Sequence, residues 1–131
     1  MKYLLDTNIC IYIINERPMH VLERFRRLTT SELGISSVTV AELAFGVAKG
    51  GSVKNRAALQ AFLVPLEVAP FDLVAALTYG DVRADLERRG QSIGPLDTQI
   101  AAHALSLNAV VVTNNEREFR KVAGLAVENW A

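Results

Sequence analysis

The most constraining feature of this sequence is a short apolar run that stops on an acid and restarts at once as a second apolar run. Tyr3-Leu4-Leu5 ends in Asp6-Thr7-Asn8, and Ile9 to Ile14 follows. The first run is short and bounded by a capping-type cluster, so it reads as a buried strand. The second is long enough for about two turns of helix, with Asp6 or Thr7 able to cap its first N–H groups. A strand that delivers a carboxylate to a helix N-terminus builds a site at the carboxyl edge of a parallel sheet. Function then depends on whether other acids reach that edge.

The rest of the chain alternates in the same way. Pro18 precedes a helix over Met19 to Leu28, with Val21, Leu22, Phe25 and Leu28 at helical spacing. A short strand over Glu32 to Ser37 enters a Ser cap, and a third helix runs from Val38 to Ala48 until Lys49-Gly50-Gly51 stops it. Ala57 to Leu63 reads as a fourth helix starting near Ser52 or Asn55, and Pro65 to Ala69 as a strand. Asp72 caps a fifth helix reaching Arg89, and Gly94-Pro95 precedes a sixth over Asp97 to Leu107. Ala109 to Thr113 is the clearest strand, followed by a short helix over Glu116 to Val122 and a last strand over Ala126 to Glu128. This alternation predicts an α/β fold: a mainly parallel sheet of about four or five strands, helices on both faces, residues 1–131 as a single domain.

Half of the 131 residues are apolar and 21% are charged, a balance suited to an ordered core. Fourteen basic and fourteen acidic side chains cancel, so nucleic-acid binding has to come from a local site and not from net charge. A lone cysteine, Cys10, allows no internal disulfide and agrees with a reducing compartment. No apolar run approaches the ~18 residues of a membrane span, and no signal-peptide pattern opens the chain, so the cytoplasm is the expected location.

Three acids sit on or beside apolar stripes. Asp6 follows Leu4-Leu5; Glu42 lies within Val40-Ala41-Glu42-Leu43-Ala44; Asp97 precedes Ile100, Ala101 and Ala104 on one helix face. Burying an ion in such a place costs several kcal/mol unless it is paired or bound to a metal. Asp6 and Asp97 also suit helix N-termini, and an arginine such as Arg83 is the bland partner for Glu42. Taken together, however, three acids near strand ends describe one pocket, where a cation or protons must offset their repulsion. All-oxygen ligands select hard ions, Mg²⁺ or Mn²⁺, and with no cysteine or histidine near these motifs the pattern points away from zinc.

Four blocks carry a family resemblance. LLDTN at Leu4 to Asn8, SSVTVAEL at Ser36 to Leu43, GPLDTQIAAHA at Gly94 to Ala104 and VVTNNEREF at Val111 to Phe119 resemble, in order, the sequence blocks of PIN domains. More closely they are similar to VapC-type toxins of bacterial toxin–antitoxin pairs. Each block alone is weak, but four in order are specific. The resemblance implies a PIN-like fold and a Mg²⁺-dependent endoribonuclease, with Mn²⁺ as a substitute. It also implies a homodimer, neutralisation by a small VapB-like antitoxin in a higher-order complex, and contact with operator DNA only through that antitoxin. Its substrate would be RNA, with tRNA cut in the anticodon stem-loop, including initiator tRNA, as the expectation. Asp6, Glu42 and Asp97 take the places of the three main acidic residues, and Asp6 and Asp97 those of the direct metal ligands. In the implied mechanism the ion binds the scissile phosphate, and a water activated by the ion or by Glu42 attacks in line.

The fourth acidic position of many relatives is Asn115 here, which brings hydrogen bonds but no charge. Glu118 could supply the missing carboxylate, and the Thr113 hydroxyl could hold a water or a phosphate or could simply end its strand. Asn115 also keeps open a second reading, a degenerate binding module that holds antitoxin or RNA without cleaving. An aspartate-nucleophile phosphatase would need a second Asp where Asn8 stands, and a receiver domain an acidic pair after its first strand. His103 and His20 read as structural, Cys10 as core filler, and Trp130 as packing on the domain or a dimer partner. The arginine groups (Arg24, Arg26, Arg27; Arg83, Arg88, Arg89; Arg117, Arg120, with Lys121) read as solvated faces with pairs such as Asp85 with Arg89, or as a track for an RNA backbone. The run from Ile9 to Ile14, apolar on every side, calls for cover on two faces, one of them from a second subunit or an antitoxin.

Overall fold

A computed structural model describes residues 1–131. In chain order the elements are β1 (Tyr3–Leu5), α1 (Thr7–Ile14), α2 (Met19–Arg26), β2 (Leu33–Ser36), α3 (Ser37–Gly50), α4 (Val53–Leu63), β3 (Glu67–Ala69), α5 (Leu73–Arg88), α6 (Pro95–Leu107), β4 (Val110–Val112), α7 (Glu116–Phe119) and β5 (Val127–Glu128). The five strands form one sheet in the order β3-β2-β1-β4-β5, every neighbouring pair parallel. The expected α/β sheet is therefore present, with five strands.

Side-chain alternation along these strands divides the core in two. Tyr3, Leu5, Leu33, Ile35 and Val112 pack on one face with Ile9, Cys10, Ile13, Val21, Leu22, Leu43 and Leu59 from α1 to α4. Leu4 and Val111 point the other way, onto Val82, Leu86, Ile100, Ala101, Ala102 and Ala104 of α5 and α6. Trp130 is buried and meets the Tyr3 ring edge-on, with centroids 5.5 Å apart, so it packs on its own domain. Cys10 is fully buried.

Local chemistry accounts for the boundaries. Ser36, Ser52 and Asp72 cap α3, α4 and α5 by accepting backbone N–H bonds from Val38, Asn55 and Ala75. Gly51 ends α3 at a left-handed φ of 70°, where glycine carries no Cβ penalty. The sixth helix differs from expectation: it begins at Pro95 under a Gly94 cap, so Asp97 lies inside its first turn and does not cap it. The fourth helix starts at Val53, capped by Ser52, one of its two expected starts.

The strand order positions the site. β2 and β3 extend the sheet on one side of β1, whereas β4 and β5 extend it on the other. Connections leaving the carboxyl ends of β1 and β4 therefore diverge, and a crevice opens where the order reverses. Asp6 follows β1 at this switch point, and its N–H donates to the Val112 carbonyl at 2.9 Å.

Candidate active site

Asp6 caps α1, its Oδ1 accepting the Thr7 N–H at 2.8 Å. Its Oδ2 accepts the Thr113 hydroxyl at 2.9 Å, a bond spanning 107 residues of sequence. The carboxyl is 4% exposed. Burial pushes its pKa up and the charge of Glu42 adds to the rise, against the two hydrogen bonds that lower it.

Asp97 enters from the first turn of α6 and is half-buried. Burial raises its pKa first, then the charge of Asp6 and that of Glu118, while a 3.3 Å bond from the Asn115 side-chain amide opposes the rise. Asp6 and Asp97 are thus within electrostatic reach of one another. None of the five ion pairs in the molecule involves Asp6, Glu42 or Asp97. The site is an acidic crevice without a paired side-chain cation.

Glu42 is half-buried on α3, and its Oε1 accepts the Thr7 hydroxyl at 3.0 Å. Arg83, the arginine considered for it, pairs instead with Glu87 at 3.0 Å within α5. The helix stripe around Glu42 is less buried than its apolar letters imply, since Phe45 one turn on is 68% exposed.

The loop after β4 behaves differently from its sequence reading. Thr113 is fully buried, donates to Asp6 and accepts the Asn115 N–H at 2.9 Å, so its hydroxyl proton is engaged in orienting Asp6. Asn115 holds Asp97 through its amide. Glu118 stands close enough to act on Asp97 but is paired with Lys121 at 3.3 Å. Two further polar residues went unread in the sequence. The Asn8 amide donates to Asn114 Oδ1 at 3.3 Å, and Asn114 donates to the Tyr12 hydroxyl at 2.7 Å, forming a polar rim from α1 to the β4 loop. The signals for them were the polar clusters at the two strand ends, Asp6-Thr7-Asn8 and Thr113-Asn114-Asn115.

The arginine groups resolve largely into solvated pairs: Arg24 with Glu128, Arg89 with Asp85 and Arg120 with Glu116, at 2.8–3.1 Å. Arg26, Arg27, Arg88 and Arg117 lie outside every ion pair. On α1, Ile11 is 39% exposed while Ile9, Cys10 and Ile13 are buried, so the helix has one covered face and one open one.

No group of three or more His, Cys, Asp or Glu side chains stands ready around one point. The donor set is two carboxylates drawn together, with Glu42 beside the first. That chemistry fits a hard divalent ion, which binds few carboxylates and keeps several waters.

The PIN-domain family model matches residues 3–125. The "tRNA(fMet)-specific endonuclease VapC" of Salmonella typhimurium is 45% identical over 131 residues, covering 99% of this chain and 98% of that protein. Among solved structures, DNA-bound VapBC from Salmonella typhimurium aligns with a TM-score of 0.92 at 45% identity, covering 100% of this chain and 99% of that one. VapBC2 from Rickettsia felis, bound to a DNA fragment from its promoter, gives 0.89 at 39% identity with 100% of both chains covered. No helix here is long and apolar enough to cross a membrane. With its four blocks in order, five parallel strands and matches running the length of the chain, the protein belongs to the PIN-domain family, in its VapC branch.

Proposed function

We propose that this chain is the toxin of a type II toxin–antitoxin pair, a divalent-metal-dependent endoribonuclease that hydrolyses RNA phosphodiester bonds. The observation that carries the reading is the pair Asp6 and Asp97: two carboxylates at the sheet's switch point, raised in pKa by burial and by neighbouring acids (Glu42 for Asp6, Asp6 and Glu118 for Asp97), with no side-chain cation paired to them. The ion is Mg²⁺, with Mn²⁺ as substitute, held by Asp6 and Asp97. The name of the Salmonella relative supports tRNA, and tRNA(fMet) in particular, as the substrate; the anticodon stem-loop is the proposed place of the cut. The VapBC neighbours support a VapB-like antitoxin as partner and contact with operator DNA through it. We take residues 1–131 as one PIN domain acting in the cytoplasm as a homodimer.

When bound, the ion supplies charge neutralisation at the scissile phosphate and lowers the pKa of a water. The chain's own residues do the rest. Thr113 and the Thr7 N–H fix the two oxygens of Asp6, and the Asn115 amide fixes one oxygen of Asp97. Glu42, oriented by the Thr7 hydroxyl, accepts the proton of the attacking water. The rim of Asn8, Asn114 and Tyr12 offers amide and hydroxyl groups to the RNA strand.

Asp6→Asn and Asp97→Asn should each lower cleavage of tRNA by at least about a hundredfold, with far-ultraviolet circular dichroism unchanged. Sequencing of RNA ends after induced expression identifies the cut. Either variant cutting at the wild-type rate in added Mg²⁺ rules the assignment out.

A further inference from the structure

Among the buried side chains of α6 are Thr98, Ile100, Ala101, Ala102, His103 and Ala104. Three of these are alanines, whose methyl groups interlock little with a neighbouring surface. Apolar contact is also non-directional, so it resists sliding or turning of a helix only weakly. A hydrogen bond is directional and can set register. Thr98 spends its hydroxyl on the Gly94 carbonyl of its own helix, at 2.8 Å. His103 is the buried polar side chain on α6 that reaches another element.

His103 is 1% exposed, and its Nδ1 lies 2.8 Å from Ser36 Oγ. Ser36 Oγ already accepts the Val38 N–H at 3.1 Å, so its own proton is free to go to Nδ1. With Nδ1 accepting from Ser36, a neutral ring carries its proton on Nε2, on a ring that also feels the Pro70 backbone. Burial holds the ring below its usual pKa, in keeping with a neutral imidazole, while Asp72 pulls the other way. The ring meets Phe71 edge-on at 5.4 Å, and the Phe71 N–H donates to Ser37 Oγ at 3.0 Å. One imidazole thus joins α6, the start of α3 and the segment between β3 and α5.

The two helices joined there carry two of the site's acids. Asp97 lies six positions before His103 on α6, and Glu42 six positions after Ser36 along α3. Six residues of helix span about 9 Å, so each acid sits at the far end of a short lever from the same hydrogen bond. We propose that His103 is a positioning residue whose bond to Ser36 sets the placement of Asp97 relative to Asp6 and Glu42, and through it the affinity of the site for a divalent ion. This rests on the reading of Asp6 and Asp97 as the metal-holding pair.

The test is Mn²⁺ binding to the full chain by titration calorimetry, with thermal melting to establish the folded fraction. His103→Leu keeps bulk and removes the acceptor; His103→Asn returns an acceptor oxygen close to the place of Nδ1. We expect His103→Leu to weaken Mn²⁺ binding by about tenfold or more, with His103→Asn recovering most of the loss. In the leucine variant kcat for RNA should fall and KM should stay nearly unchanged. A purely structural role would lower the melting temperature of both variants and leave Mn²⁺ affinity of the folded protein intact. Folded His103→Leu binding Mn²⁺ as wild type does, or leucine and asparagine variants equally weak, overturns the proposal. Should His103→Leu fail to fold, Ser36→Ala removes the same bond from the other side, and wild-type Mn²⁺ affinity there overturns it equally. Asp97→Asn is run alongside: if it too binds Mn²⁺ normally, the metal-site reading fails instead.

Discussion

At Asp6 stability and chemistry pull in opposite directions. Burial puts the pKa of the carboxyl above its ordinary value, so the folded state binds a proton more tightly than the unfolded chain does. The resulting cost is absent below the unfolded pKa, grows as pH rises through the folded pKa, and is fully present above it. An amide in its place carries no charge to desolvate, and the Thr113 oxygen can accept a bond from it. Asp6→Asn should therefore raise the melting temperature of the metal-free protein at pH 7 by about 3 °C, the shift of roughly 1 kcal/mol in a chain this size. The gain should shrink as pH is lowered toward 4. A lower melting temperature at pH 7 would show that the two hydrogen bonds outweigh the charge. Asp6, Glu42 and Asp97 were legible as candidates in the sequence, because an acid among apolar letters stands out. The sequence said little about Thr113, whose role depends on a partner 107 residues away.

Among the elements, β2 shows how a missing side chain becomes part of the packing. Gly34 lies between β1 and β3, and the Met1 side chain fills the space where a Cβ would stand. An added Cβ would also come within 3.1 Å of the Glu67 carbonyl oxygen, a backbone atom of the neighbouring strand that yields little. Gly34→Val should expel Met1 and strain the β2–β3 pairing, destabilising the protein by about 1–3 kcal/mol in urea unfolding. Gly34→Ala should cost less, since the thioether can move aside. Wild-type stability in the valine variant would mean that the strands separate freely at this point. The helices were more legible than this contact: Ser36, Ser52, Asp72 and Gly51 cap within a few residues, so their signals are local. Asp97 was misplaced by two residues at its helix start because Gly94-Pro95 begins a turn without any side-chain cap.

For the whole molecule, the apolar surface left outside the two cores bears on assembly. Phe45, 68% exposed, and Leu96, 42% exposed, line one open groove with Val38 and Ala41 beside Glu42. If the proposed homodimer covers this groove, Phe45→Glu should yield a monomer in size-exclusion chromatography with light scattering. Its stability should stay within about 0.5 kcal/mol, because Phe45 contributes little to its own fold. A persistent dimer would move the interface to another face, such as the exposed Leu73 and Leu77 of α5.

The sequence by itself determined the type and order of the α-helices and strands, and which acids needed explaining. Periodicity, caps and breakers act over a few residues, and nothing distant is required to read them. Only the tertiary structure decided the meeting of β1 with β4, since strand order depends on which helices cover which face. From that single adjacency follow the Thr113 bond to Asp6 and the approach of Asn115 to Asp97. The same holds for Thr7 on Glu42 and for His103 on Ser36, hydrogen bonds whose partners lie 35 and 67 residues apart. Hydrogen bonds of such span leave no period in the chain, because they form only once burial has brought the partners together.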